Sequence, residues 1–101
     1  MPKITLDDPK DYLIYRSGSG ASIEIVDIVV GTKRGVGRGR NLIELLLIQL
    51  EKDTNLVYAI TRESNKKAHA FYKAVGFNYL GSLREFYRDT DESAFVFGLD
   101  V

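Results

Sequence analysis

The stretch KRGVGRGRN, residues 33–41, follows an apolar run ending in Ile28-Val29-Val30 and precedes another beginning Leu42-Ile43. It sets Gly35, Gly37 and Gly39 at alternate positions among Lys33, Arg34, Arg38 and Arg40. A strand that turns through such a loop into a helix leaves the first helical amides without intrahelical partners, at the positive end of the helix dipole. Glycines there remove side chains that would hold a ligand off those amides. Phosphate or pyrophosphate suits such a place, and a flexible basic turn is the plainer alternative. Two familiar glycine loops fail on spacing: no Gly-Lys pair exists for a nucleotide-triphosphate loop, and a G-x-G-x-x-G pattern begun at Gly35 meets Arg40 in its last place.

Outward from the loop the chain alternates strands and helices. DYLIYR (11–16) and ASIEIVDIVV (21–30) are rich in β-branched and aromatic residues and are joined by SGSG, the pattern of a hairpin. Asn41 to Lys52 carries apolar residues at 42, 43, 45, 46, 47, 48 and 50, which predicts a helix buried nearly all round. LVYAI (56–60) reads as a strand parallel to the one before the helix, reached by a right-handed crossover. Ser64 or Asn65 caps a second helix with apolar Ala68, Phe71, Tyr72 and Val75, and Gly76 ends it. FNYLGSLREFY and SAFVFGLDV, around the turn RDTDES, supply two final strands. The expected architecture is α/β (α+β), a mixed central sheet in the order β-β-α-β-α-β-β, as one domain over residues 1–101.

Composition restricts the chemistry. Lys plus Arg and Asp plus Glu each number 14, so attraction for an anion must be local, and neither nucleic acid nor a membrane is an expected partner. The absence of cysteine removes disulfides and thiolate chemistry, and the single histidine, His69, cannot build a multi-histidine metal site, so no metal is expected. No apolar stretch near the start reads as a secretory signal, and a cytoplasmic location is the expectation.

RGVGRG, Arg34 to Gly39, has the form Gln/Arg-x-x-Gly-x-Gly/Ala, and NKKAHAFYKAVGF, Asn65 to Phe77, has the form Asn-x-x-Ala-x-x-Phe/Leu-Tyr-x-x-x-Gly-Phe. In that order and in strand-helix contexts, the two motifs resemble those of the GNAT N-acetyltransferase superfamily, over a span from about Ile23 to the C-terminus. The resemblance implies a sheet splayed between Glu24 to Val30 and Leu56 to Ile60, with the pantetheine arm of acetyl-coenzyme A in the gap. It also implies a cofactor site of Ile28, Val29, Val30, Arg34, Gly35, Val36, Gly37, Arg38, Gly39, Arg40, Asn65 and Tyr72. Members of that superfamily usually carry a further strand and helices ahead of the hairpin, whereas about ten residues precede DYLIYR here. The apolar surface this leaves favours a homodimer.

Acetyl transfer to an amine requires a deprotonated amine, stabilisation of the tetrahedral oxyanion and a proton for the departing thiolate. Tyr72 stands at the tyrosine of the resembling motif and is the candidate proton donor, with packing beside Phe71 as its structural alternative. Asn65 caps its helix, touches the cofactor, or does both. His69 lies one turn from Asn65 and Tyr72, but Lys66 and Lys73 mark a solvated flank and place it at the surface. Glu24 and Asp27 interrupt the apolar strand; three apart, they point to opposite faces in regular alternation, with Glu24 on the face of Val26, Ile28 and Val30, and a bulge would alter this. Glu24 is the candidate base, a salt-bridged strand residue the alternative. The reading is an N-acetyltransferase moving acetyl from acetyl-coenzyme A directly to a primary amine, on a small molecule, a peptide N-terminus or a lysine. The alternative is a non-catalytic acyl-coenzyme A-binding or regulatory module.

Overall fold

The computed structural model describes residues 1–31 and 37–101. Its strands are β1 (Lys3–Thr5), β2 (Asp11–Ser17), β3 (Ser22–Val30), β4 (Leu56–Arg62), β5 (Asn78–Tyr87) and β6 (Glu92–Asp100), with helices α1 (Arg38–Ile48) and α2 (Lys66–Ala74). They form one mixed sheet in the order β1-β2-β3-β4-β6-β5, in which β3 and β4 are parallel and the other neighbours antiparallel. The expected order of elements is therefore present, with one strand more. β1 is too short to show a period of two in sequence, and burial of Ile4 against the core holds it.

Both helices cover the same face of the sheet. Leu42, Ile43 and Leu46 of α1 and Tyr72 of α2 share a core with Leu13, Ile25, Val57, Ala59 and Phe97. Burying a leucine of this kind stabilises the fold by about 1.5–3 kcal/mol. The expectation of a nearly buried helix reaching Lys52 is corrected: α1 ends at Ile48, whose side chain is 79% exposed, and Gln49 N–H turns back to Leu46 O. A two-helix layer on one face fully buries one stripe of α1, while Leu45 and Leu47 pack half-buried against the core and Ile48 is left in solvent.

α2 is better delimited. Asn65 Oδ1 accepts the amide of Ala68, so Asn65 is the cap. At the other end Gly76 is left-handed, Gly76 N–H bonds Lys73 O and Phe77 N–H bonds Tyr72 O, a Schellman closure that sets Tyr72 in the last turn.

The centre of the sheet divides. β3 and β4 pair only from Ser22↔Leu56 to Ile25↔Ala59, although β3 runs on to Val30 and β4 to Arg62. The division coincides with a bulge, for Ile14 opposes Asp27 while Tyr15 opposes Ile25, leaving Val26 as the extra residue. One inserted residue turns the following side chains to the other face. Glu24, opposite Arg16, and Asp27, opposite Ile14, therefore share the face away from the helices, while Ile25, Ile28 and Val30 face α1 and α2. The regular alternation, with the two carboxylates on opposite faces and Glu24 beside Ile28, does not hold.

Candidate active site

A continuous trench starts at the beginning of α1 and ends in the gap between β3 and β4. Its first part is lined by Val30, Gly37, Gly39, Arg40, Phe71 and Val75, among others. The middle part, about 240 Å³, runs past Ile28 and Val30 of the unpaired β3 edge to Asn65, Ala68, Phe71 and Tyr72 of α2. The last part, about 250 Å³, passes through the sheet: Ile28, Thr61, Asn65 and Tyr72 line it on the helix side, and Asp27, Ile60, Arg62 and Tyr87 on the open side.

The start of α1 is built to leave amides free. Gly37 is its N-cap with φ 90°, a left-handed conformation that favours glycine, and a Cβ there would meet nothing within 4 Å. No described side chain caps the helix, and its first turn holds no acidic residue. Asn41 N–H makes the first intrahelical bond, to Gly37 O, so the amides of Arg38, Gly39 and Arg40 have no acceptor within the helix. Gly39 has a different reason to be glycine, because a Cβ there would lie 2.6 Å from Phe71 Cε1. Close packing of α1 on α2 therefore depends on it.

The cationic side chains of this turn are used otherwise than the sequence suggests. Arg38 donates from Nε to Asp11 Oδ2 and from Nη2 to Asp7 Oδ1, and Asp11 is fully buried. Those carboxylates raise the Arg38 pKa further above its ordinary value. Arg40 donates to Ala74 O at 2.8 Å, tying the start of α1 to the end of α2. Both guanidinium groups hold elements together, so what these two residues offer an anion is chiefly their backbone amides. The expected contacts of Arg34, Gly35 and Val36 lie outside the described residues.

Beyond Ile25 the edge of β3 that faces β4 is unpaired, which leaves backbone polar groups from Asp27 to Val30 available to an amide-bearing ligand laid along it. Ile28 and Val30 point their side chains into the trench; Val29, opposite Tyr12, points to the other face and can take part through its backbone alone.

Tyr72 stands where the trench enters the gap. Its ring is buried against Phe71, Phe77 and Phe97, at centroid distances of 5.3, 5.1 and 6.0 Å. Packing and exposure of the hydroxyl to the trench thus coexist in one residue. The hydroxyl has no hydrogen-bond partner among the described residues, and no buried side-chain polar atom among them lacks one, so it opens to the trench. Burial, and then the charge of Asp27, push the phenol pKa well above its usual value, which keeps the proton in place through the physiological range.

The structure brings Tyr72, Asn65, Ile28, Val30, Gly37 and Gly39 together along one trench and leaves Glu24 out. Glu24 lies where β3 and β4 still pair, opposite Tyr58, and accepts from Arg16 Nε at 2.9 Å. Asp27, beyond the bulge, is the carboxylate that lines the gap with Tyr72. His69, expected at the surface, is buried: it stacks on Phe95 at 4.9 Å and its Nε2 donates to Arg62 O at 2.9 Å. The flanking lysines are exposed, but position 69 falls on the side of α2 that meets β6. Thr61, Arg62 and Tyr87 are among the lining residues that sequence reasoning missed. Tyr87 comes from β5, and nothing near it in sequence signals that the β5-β6 hairpin folds back beside the gap.

A parallel pair that splits beside the start of α1 thus sets free helix amides, an unpaired strand edge and the Tyr72 hydroxyl along one trench. The acetyltransferase (GNAT) family model matches residues 7–77, and the chain belongs to that family. Among solved structures, the ribosomal-protein-S18-alanine N-acetyltransferase of Escherichia coli is similar at 28% identity and a TM-score of 0.73, over 96% of this chain and 65% of that one. An acetyltransferase of Bacillus anthracis in complex with acetyl coenzyme A has a TM-score of 0.81 at 23% identity, over 91% of this chain and 56% of that one. A Bacillus subtilis acetyltransferase in complex with CoA has a TM-score of 0.80 at 17% identity, over 94% and 71%. The chain thus spans less than two thirds of the first two structures. A comparison with curated proteins finds no match.

Proposed function

We propose that this chain transfers an acetyl group from acetyl-coenzyme A directly to a primary amine, with Tyr72 as proton donor to the thiolate and Asp27 as acceptor of the proton that the entering ammonium loses. One observation carries the reading: a single trench joins free helix amides, an unpaired strand edge and a buried tyrosine facing a carboxylate across the split sheet. The pyrophosphate would lie at Gly37 to Arg40, the pantetheine along Ile28 to Val30, and the thioester near Tyr72, reached by the amine from the open face.

The proton balance follows. An ammonium gives one proton to Asp27, directly or through water, and the free amine attacks the thioester carbon. As the C–S bond breaks, the Tyr72 hydroxyl gives its proton to sulfur and is restored by the proton the new amide nitrogen sheds. Demand on Asp27 depends on the acceptor: at pH 7 about a tenth of α-amino groups are neutral, against fewer than about one in a thousand lysine side chains.

The test is thiol release from acetyl-coenzyme A with a panel of polyamines, amino acids and their amides, aminoglycosides and peptides. Amine-dependent release, lost in Tyr72→Phe while cofactor binding persists, supports the reading. Cofactor binding without release for any amine would instead make the chain an acyl-coenzyme A-binding module.

A further inference from the structure

The open side of the gap carries a particular charge arrangement. Its charged lining residues, among those described, are Asp27 and Arg62. Arg62 Nη1 and Nη2 donate to both Asp89 oxygens at 3.3 and 3.0 Å, Nη1 also reaches Glu92 Oε1 at 3.4 Å, and the guanidinium lies 4.0 Å from the centroid of the Tyr87 ring. Glu92 is held in turn, its Oε2 accepting the amide of Ser64 at 2.6 Å. Two carboxylates thus answer one guanidinium, while no described side chain answers Asp27. With Asp27, Asp89 and Glu92 against Arg62, the described residues of the mouth carry an excess of negative charge.

We propose that the acceptor is an amine whose neighbouring group is neutral or cationic, as in an amino-acid amide, a peptide N-terminus or a polyamine, and that free α-amino acids are excluded by charge. The inference rests on the acetyl-transfer reading. An α-carboxylate would arrive within a few ångströms of Asp27 whenever the amine reaches the thioester, and the guanidinium that could receive it is already paired. Coulomb's law at contact range makes such a like-charge approach cost a factor between about five in water and about a thousand near a protein surface.

The experiment compares kcat/KM for alaninamide and alanine, nearly equal in shape, per concentration of free base so that their different amine acidities cancel. The expected result is a preference of about tenfold or more for the amide, shrinking as salt rises from low to molar concentration. In the double variant Asp89→Asn, Glu92→Gln, the released Arg62 should narrow that ratio by favouring alanine. Equal rates, a preference for alanine, or an amide preference that salt does not reduce would overturn the charge rule and leave acetyl transfer standing. Absence of thiol release with every amine tried, while acetyl-coenzyme A still raises the melting temperature, would overturn the transfer reading and the charge rule with it.

Discussion

The two halves of β3 hold one carboxylate each, on the same face of the same strand, and treat them differently. Glu24 sits in the half that pairs with β4, bonded to Arg16 across β2. Asp27 sits past the bulge, in the half that has left β4, beside Tyr72 and with no ion pair among the described residues. Both interrupt the same apolar run. The difference is not in residue type but in whether a neighbouring strand is present to close the space beside it. A bulge costs a ladder its regularity, and here it marks the point where the sheet stops being a wall and becomes a cleft.

If the open half is where chemistry occurs, the largest effect belongs to its proton donor. Tyr72→Phe should lower kcat by about 10²-fold to 10⁴-fold with acetyl-coenzyme A affinity nearly unchanged, measured by steady-state kinetics and calorimetry. Full activity would return Tyr72 to a purely packing role. Next comes the far end of the trench. Acetyl-coenzyme A at a hundred times its Kd should stabilise the chain by about 2.7 kcal/mol. Gly37→Glu should abolish that ligand-dependent melting shift by setting a carboxylate against the anion; the shift, not the melting temperature alone, is the readout, because the left-handed φ strains any side chain there.

The carboxylates test the contrast directly. Asp27→Asn should reduce kcat/KM by about tenfold to a hundredfold, more for a lysine-like acceptor than for an α-amine. Glu24→Gln should leave kcat/KM within about twofold, since it loosens only an ion pair with half-exposed Arg16. Similar losses in both variants would mean that the division of β3 has no functional meaning. The smallest effect is in alkaline stability. In the folded chain the Tyr72 proton is held above its ordinary range, so the stability this gives is complete below about pH 10, where an unfolded tyrosine ionises, and declines as pH rises beyond it. Burial acts in the same direction at Tyr58 and Tyr87, so a denaturation series should find the decline reduced, but not removed, in Tyr72→Phe.

Local pattern was enough for most of the elements and for part of the site. The periodicity of residues 66–75, with a capping Asn65 and the left-handed Gly76, specifies α2 and the place of Tyr72 in it, because caps and stripes act over one or two helical turns. The hairpin and the start of α1 at Gly37 were legible for the same reason. What escaped depends on partners distant in the chain. Arg38 and Arg40 read as anion ligands because nothing adjacent reveals Asp7, Asp11 or the carbonyl of Ala74 waiting for them. His69 read as surface because two neighbouring lysines are exposed, whereas Phe95 and Phe97 of β6 bury it.

By itself the sequence determined the order of elements from β2 onward, the helix that carries Tyr72 and the bare backbone at the head of α1, since each rests on propensity, capping or glycine stereochemistry within a few residues. Tertiary structure alone decided which carboxylate faces Tyr72. A single extra residue at Val26 reverses the faces of everything after it, and whether a strand absorbs such a residue depends on the register with β2 and on the loss of β4, energies that belong to strands paired across the fold.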